Sequence, residues 1–475
     1  MSNSAFATAL ARESVRIHKD PKAHLVGIAG AGMSSLAEVL DAAGWEISGS
    51  DLNGRFAAGS RFQVHALHDA EHVDEELDVL VHSDAVPEDN PEVVRARALG
   101  ISVLNYPQML GRLMESQRGA AIAGTHGKST TTAMAGEILS TAGFDPTVVC
   151  GARSIVGNST GQFGRGRWML AEACEYRDNF RHLNPQLAVI LGIEPDHFDC
   201  FATPGELEAA FARFAARVPD DGLVLARADC TATTRAIANL RCATESFGFA
   251  PSATWHATEL RERQGFYTFQ IRYGERMVCE VKLHVPGRHN VLNALAAAAL
   301  ASRCGASAAA IRGGLERFAG LRRRLQLLGE VRQVAILDDY AHHPTEVVAT
   351  LSTIRQMYPE RRLWCVFQPH QASRTRYLLD EFAASLHNAD KVIVSEIVRA
   401  RETAEPTGEV TAALLAARVA ERGGDALQLA SAAEIHDHLR QSLRPGDVVV
   451  TMGAGDIGRI AHELGQGLRT YRQAG

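Results

Sequence analysis

The run GAAIAGTHGKSTTTAM (residues 119–134) limits what this 475-residue chain can fold into more than any other stretch. An apolar segment long enough for one buried strand enters a glycine-framed turn, and that turn opens an Ala- and Thr-rich segment of helical character. A strand that feeds a helix in this way is half of a βαβ unit, which places the strand in a parallel sheet covered by helices. The pattern appears first in HLVGIAGAGMSSLAEVLDAAGWEISGSDL (24–52) and continues through DVLVHSDAV (78–86) and GISVLNYP (100–107). It predicts a doubly wound parallel first domain over residues 1–118. After the opening run, RWMLAEACEY and PQLAVILGIEPDHFD extend a second domain over 119–320. A third βα series over 321–475 contains VAILDDYAHHPTE, RRLWCVFQPH, KVIVSEIV and GDVVVTMGAGDIG, with the join near FAGLRRRLQ (318–326). The expected fold class is α/β with three domains.

Composition narrows the partners. With 46% hydrophobic and 22% charged residues the chain can bury several cores. A formal net charge of -6 gives no general basic surface for nucleic acid or an anionic membrane. The eight cysteines are scattered without a CxxC pair, which points to reduced thiols rather than a disulfide framework or zinc knuckle. The first twenty residues lack the apolar stretch of a signal peptide, and no apolar run is long enough to span a bilayer. A soluble cytoplasmic protein acting on small molecules is the expectation, with oligomeric state left open.

The motifs specify phosphate chemistry. In GTHGKST, Gly124, Thr125, His126 and Gly127 would bring backbone N–H groups to phosphate oxygens at a helix N-terminus. Lys128 would face the β/γ-phosphates of ATP, and Ser129 or Thr130 would hold Mg²⁺. The turn is a shortened relative of the P-loop, with Ile122 where the first Gly usually stands. Glu172 and His197 end apolar runs and suit a divalent cation beside the nucleotide, Mg²⁺ favouring oxygen and Mn²⁺ tolerating imidazole. Taken singly, either fits a surface or helix-cap role. The first turn, GAGMSS, places Gly30 and Gly32 as in a dinucleotide fingerprint with Asp51 ending the second strand, but Ser35 replaces the third glycine. An NAD-dependent oxidoreductase is therefore a rival reading. Asn290 and Asn293, three apart in GRHNVLNALAAAAL, would meet a base or ribose or cap a helix. The arginines at 322–324 would be a solvated charge run or, at a domain join, a clamp on a transferring phosphoryl group, and DDYAHHPTE with QPHQASRTR mixes acid, imidazole and guanidinium suited to an amino acid.

In that order GTHGKST, EPDHFD, GRHNVLNA, FAGLRRRLQ, DDYAHHPTE and the late GAGD resemble the Mur ligases of peptidoglycan synthesis, over nearly the whole chain. The resemblance implies a Rossmann-like N-terminal domain for a UDP-sugar, a P-loop ATPase-like central domain and a Rossmann-like C-terminal domain that closes on ATP. It implies activation of a carboxylate as an acyl phosphate, followed by amine attack and release of phosphate. GAGMS, SGSDL, the loop histidine and DDYAHHPTE are most similar to members joining L-alanine to UDP-N-acetylmuramate. Members that attach a recycled tripeptide share the GTHGK loop and rank second.

Carried over by motif, Gly30, Ala31, Gly32, Met33 and Ser34 would hold the UDP pyrophosphate, with Asp51 and Ser83 near the uridine. Gly124 to Thr130 would form the ATP loop and Asn290 and Asn293 the adenine side. Glu172 and His197 would bind the second metal. Lys128, His197, Arg324 and Asp339 would be catalytic, and Tyr340, His342, His370 and Arg374 would surround L-alanine. Three departures stand out: Gly192 where family members commonly have Asn, Gln371 where many have Arg, and no Lys between Lys128 and Lys282 to supply a carbamylated metal ligand.

Overall fold

A computed structural model describes residues 20–52, 61–157, 159–400, 402 and 410–470. The outer ends of the first and third expected domains, residues 1–19 and 471–475, lie outside the described residues.

The described residues build three sheets. The first has five parallel strands, in spatial order Gln63–His65, Glu46–Ser50, Lys22–Val26, Val79–His82 and Ser102–Asn105. Chain direction across the sheet reverses between Lys22–Val26 and Val79–His82, so a crevice forms beyond their carboxyl ends. Helices Ala31–Ala42, Pro91–Ala98 and Tyr106–Met114 cover it. The last starts at a capping box in which Asn105 and Gln108 satisfy each other's backbone N–H groups.

The central sheet has ten strands. Its parallel middle runs Ala243–Gly248, Leu223–Arg227, Leu187–Ile190, Arg118–Ala123, Trp168–Glu172 and Thr147–Val149. One edge continues into an antiparallel meander, Trp255–Arg263, Phe266–Tyr273 and Arg276–Lys282, which sequence periodicity had not separated from the surrounding βα series. The alternating burial of Phe266–Tyr273 marks a half-exposed antiparallel strand. Two helices, Lys128–Thr141 and Arg288–Cys304, pack against each other on one face.

The third sheet orders Gln326–Val331, Val334–Asp339, Val448–Met452, Leu363–Phe367, Lys391–Val394 and Ala426–Gln428. All neighbours are parallel except the first two, a hairpin turned by Arg332 and Gln333 at positive φ. The doubly wound α/β expectation therefore holds for the first sheet, and strands occur in each predicted run of the third.

Packing distinguishes the joints. One apolar cluster runs from Leu25, Leu36 and Leu113 on the first sheet's side to Ala121, Met169, Phe180 and Phe211 on the central sheet's side. The third sheet instead encloses two cores of its own, around Leu351 and Phe367 on one face and Trp364 and Ile393 on the other. No helix among the described residues is long and apolar enough to cross a membrane.

Candidate active site

The phosphate-loop sequence forms the turn between strand Arg118–Ala123 and helix Lys128–Thr141. Gly124 (φ 135°) and Gly127 (φ 81°) adopt backbone conformations that L side chains rarely take, and a Cβ on Gly127 would lie 2.5 Å from Asn293 Oδ1. Glycine here leaves the loop's N–H groups open beside the helix N-terminus. Lys128 Nζ donates to the Gly124 carbonyl at 2.5 Å and to Glu175 Oε2 at 2.9 Å. Glu175 also meets His197 Nε2 at 3.2 Å. Burial would raise the Glu175 carboxyl, but Lys128 and His197 hold it down at about 2. Burial likewise opposes the charge on Lys128, and Glu175 more than compensates, so its ammonium titrates above the ordinary value. A firmly charged Lys at a helix start is what phosphoryl transfer requires.

Sequence reasoning placed Glu172 and His197 together as cation ligands. In the structure Glu172 accepts a hydrogen bond from Gly151 N, while His197 engages Glu175. Glu172 and Glu175 each favour the Lys128 charge, and Glu175 joins Lys128 to His197. Ser129 and Thr130 are buried in the first turn of the same helix, and the Ser129 carbonyl faces Cys150 Sγ at 3.5 Å. Two hydroxyls at the helix start, a carboxylate that favours the Lys128 charge and an imidazole joined to Lys128 through Glu175 supply donor types that fit Mg²⁺ with phosphate. Glu175 was overlooked, although it stands three residues after Glu172 in EACEY.

A solvent-open cleft of about 1060 Å³ adjoins the loop, lined by His126, Gly127, Thr130, Asn290, Asn293, Phe247, Arg324 and Asp339 among others. Asn293 Nδ2 donates to Asn290 Oδ1 at 3.0 Å, and Asn290 Nδ2 to the Pro286 carbonyl at 2.7 Å, so the two amides do share one helix face. Asp339 accepts from Leu325 N at 2.5 Å and Ala341 N at 2.7 Å, holding the join against the third sheet. Burial raises its carboxyl to about 6, with Arg324 opposing. The Arg324 guanidinium lies 5.0 Å from the Tyr340 ring centre.

The four expected amino-acid residues are contiguous. Tyr340 meets His342 edge-on at 5.3 Å, His342 lies 6.1 Å from His370, and Arg374 donates to the His370 carbonyl at 3.2 Å. Burial lowers His342 to about 4, leaving a neutral imidazole. Arg374, almost fully buried, donates through Nε to Asp196 Oδ1 at 2.7 Å. Gln371, buried at φ 70°, starts the short helix that carries Arg374. Gly192 offers its carbonyl to Thr125 N at 3.0 Å, so this departure tethers the phosphate loop through backbone alone.

Further charged contacts cross the same joint. His126 Nδ1 donates to Glu346 Oε1 at 2.9 Å, Thr345 Oγ1 donates to Glu194 Oε2 at 2.6 Å, and His343 Nε2 donates to the Pro195 carbonyl at 3.2 Å. Burial would lower His126, yet Glu346 and Glu194 raise it to about 9. Glu194, Asp196, His343 and Glu346 were not singled out from sequence, although each lies within a quoted motif.

The first-sheet residues occupy the crevice at the strand reversal. Gly30 precedes helix Ala31–Ala42, so Ala31, Gly32, Met33 and Ser34 form its first turn. Asp51 Oδ2 accepts from Ala29 N at 2.9 Å, and Ser83 follows strand Val79–His82. Tyr106 rests against Gly32 and is close enough to Glu172 for that carboxylate, after burial, to raise its phenol. This ring links the crevice to the surroundings of Lys128. Ser35 explains the altered fingerprint: its hydroxyl donates to the Thr160 carbonyl at 2.9 Å and accepts from Cys150 N at 3.1 Å. The third glycine position has become a fastening between the first and central sheets.

Comparison with known proteins agrees with this geometry. Residues 22–118 match the Mur ligase family catalytic domain, 122–301 the Mur ligase middle domain and 323–455 the Mur ligase glutamate ligase domain. The chain is 37% identical over 446 residues to UDP-N-acetylmuramate--L-alanine ligase of Acetivibrio thermocellus, covering 92% of this chain and 94% of that one. It is 40% identical to the enzyme of that name from Salinibacter ruber, covering 92% and 93%. The solved UDP-N-acetylmuramate-alanine ligase of Thermotoga maritima superposes with a TM-score of 0.80 at 25% identity, over 96% of this chain and 100% of that one. A murein peptide ligase from Psychrobacter arcticus reaches 0.71 at 25% identity, over 94% and 98%. The chain belongs to the Mur ligase family.

Proposed function

We propose that this chain is an ATP-dependent ligase that joins L-alanine to the lactyl carboxylate of UDP-N-acetylmuramate in peptidoglycan precursor synthesis. The observation that carries the reading is convergence on Lys128. The first-sheet crevice approaches it through Tyr106, the nucleotide cleft adjoins its loop, and the Tyr340–His342–His370–Arg374 group lies across the joint. Names of relatives support the same substrates.

A free carboxylate is a poor electrophile, so it first attacks the γ-phosphorus of ATP, and the bond to the ADP oxygen breaks. Lys128 and Arg324 stabilise the oxygens that gain charge. Ser129 or Thr130 with Glu172 and His197 would hold Mg²⁺, which would add charge neutralisation at those oxygens. The alanine ammonium loses a proton to solvent, and neutral His342 accepts a hydrogen bond from the resulting amine. The His342 Nδ1–H donates to the Tyr340 carbonyl at 2.9 Å, which leaves Nε2 as the acceptor. The amine attacks the acyl carbon, and the carbon–oxygen bond to phosphate breaks.

In this proposal residues 1–118 bind the UDP-sugar through Gly30 to Ser34, Asp51 and Ser83. Residues 119–320 bind ATP, and 321–475 bring the amino acid and close on the nucleotide. A cytoplasmic location follows from these nucleotide substrates. The test is phosphate release from Mg²⁺-ATP and UDP-N-acetylmuramate with no amino acid, L-alanine, glycine, L-serine or the murein tripeptide, with product mass measured in parallel. L-alanine-dependent release with the alanyl product is expected. Response to the tripeptide alone would assign the recycling reaction, and release under no condition would refute the ligase reading.

A further inference from the structure

The polar joint holds a cluster that the proposed ligase chemistry does not use. His126 Nε2, Glu194 Oε2 and His343 Nδ1 lie within 4.8 Å of one another. Two belong to the central sheet's loops and the third directly precedes helix Pro344–Met357. Glu194 Oε2 is 3.5 Å from His126 Nε2 and 4.0 Å from His343 Nδ1. Ligands about 2.0–2.1 Å from a tetrahedral zinc ion stand about 3.3 Å apart, so side-chain adjustments of under 1 Å bring all three to bonding distance.

The second ring nitrogens set the tautomers. His126 donates its Nδ1–H to Glu346, which directs Nε2 into the cluster. That Nε2 is buried and makes no hydrogen bond. His343 donates its Nε2–H to the Pro195 carbonyl, which leaves Nδ1 with its lone pair toward Glu194, contacted only by a long 3.3 Å bond from Thr345 N. A carboxylate behind one ligating imidazole and a backbone carbonyl behind the other are the usual outer partners of a metal-bound histidine.

We propose that His126, Glu194 and His343 form a binding site for a zinc-type divalent ion, separate from the Mg²⁺ position at Ser129 and Glu172, that staples the phosphate loop to the C-terminal unit. Two imidazoles and one carboxylate favour Zn²⁺ or Co²⁺ over Mg²⁺. His126 and Glu194 line the open cleft, so solvent supplies the fourth ligand. A bound ion would hold the joint closed without nucleotide.

The nucleotide-free full chain is titrated at mildly alkaline pH with Zn²⁺ against a chromophoric chelator, and with Co²⁺ while its visible absorption is followed. One tight equivalent and a cobalt spectrum of low coordination number are expected. Affinity should fall at least about 100-fold in His343→Gln and Glu194→Gln, and about 10- to 100-fold in Glu346→Gln, which removes only the outer partner. Glu172→Gln should bind as the parent does. Metal-free melting curves identify any variant that misfolds, and His343→Ala then replaces His343→Gln. Absence of a stoichiometric site, unchanged affinity in both ligand variants, or loss in Glu172→Gln alone would overturn the assignment.

Discussion

The two joints of this molecule are built from opposite materials. Between the first and central sheets, side chains of both merge into one buried apolar cluster, fastened further by Ser35 and by Glu38, which accepts from Thr160 N at 2.8 Å and Gly161 N at 2.9 Å. Between the central and third sheets the contacts are mainly ionic and hydrogen-bonded: His126 with Glu346, Asp196 with Arg374, Glu194 with Thr345. Apolar burial has no favourable substitute in water, whereas charged groups can exchange each other for solvent at small net cost. We therefore expect the first joint to stay fixed and the second to open and reclose. That division suits a ligase whose acceptor site stays aligned with the phosphate loop while the C-terminal unit admits ATP and amino acid.

The largest effects should come from the cations of the phosphate loop and of the join beside the polar joint. Lys128→Ala is expected to abolish turnover, and Arg324→Ala to lower kcat by about 10²–10³-fold, with melting temperature nearly unchanged for Arg324→Ala. Steady-state kinetics and calorimetry together check this. A melting drop in Arg324→Ala as large as its activity loss would merge the two joints into one class.

The apolar joint should behave in the reverse way. Leu113 is fully buried on the helix whose Gly111 abuts the His182 carbonyl. Leu113→Ala should cost about 2–5 kcal/mol of stability while the folded fraction keeps its kcat. Denaturant titration with activity per folded molecule measures both.

How much of this was legible in the sequence depends on distance along the chain. Strand-turn-helix units announce themselves locally, which is why GTHGKST forms the turn the sequence predicts and why Tyr340 and His342, like His370 and Arg374, follow strand ends. Asn290 and Asn293 are three apart, so helical geometry alone pairs them. The link between His126 and Glu346 spans 220 positions, and no local spacing encodes it. Glu175 was hidden for another reason: an acid beside Tyr176 has the look of a solvated turn, and only the fold buries it against Lys128. Ser35 was seen as a defect in a fingerprint because its partners, Thr160 and Cys150, belong to a different sheet.

A smaller effect should appear with pH. His126 is raised from its ordinary 6.5 to about 9 by Glu346 and Glu194 against the opposing effect of burial. Its contribution to the closed joint is fully present below 6.5 and is lost as pH rises through about 9. Joint closure of the metal-free chain, followed by scattering in the presence of a chelator, should weaken over that window, and His126→Gln should remove the dependence. Closure that strengthens toward alkaline pH would contradict the ion-pair account.

The smallest expected effect concerns Phe198 and Tyr377, stacked across the joint with ring centres 4.7 Å apart. A double-mutant cycle to alanine should give a coupling of about 0.5–1.5 kcal/mol, read as a change in closure rather than in global unfolding.

The most direct test of one fixed and one mobile joint is a pair of distance distributions from spin labels at exposed Glu46, Arg276 and Glu421, one site on each sheet's unit. Measurements are made with and without ATP plus UDP-N-acetylmuramate. The account predicts that the Arg276–Glu421 distribution shifts and narrows on nucleotide binding while Glu46–Arg276 stays fixed. A shift in Glu46–Arg276, or none in Arg276–Glu421, would contradict it.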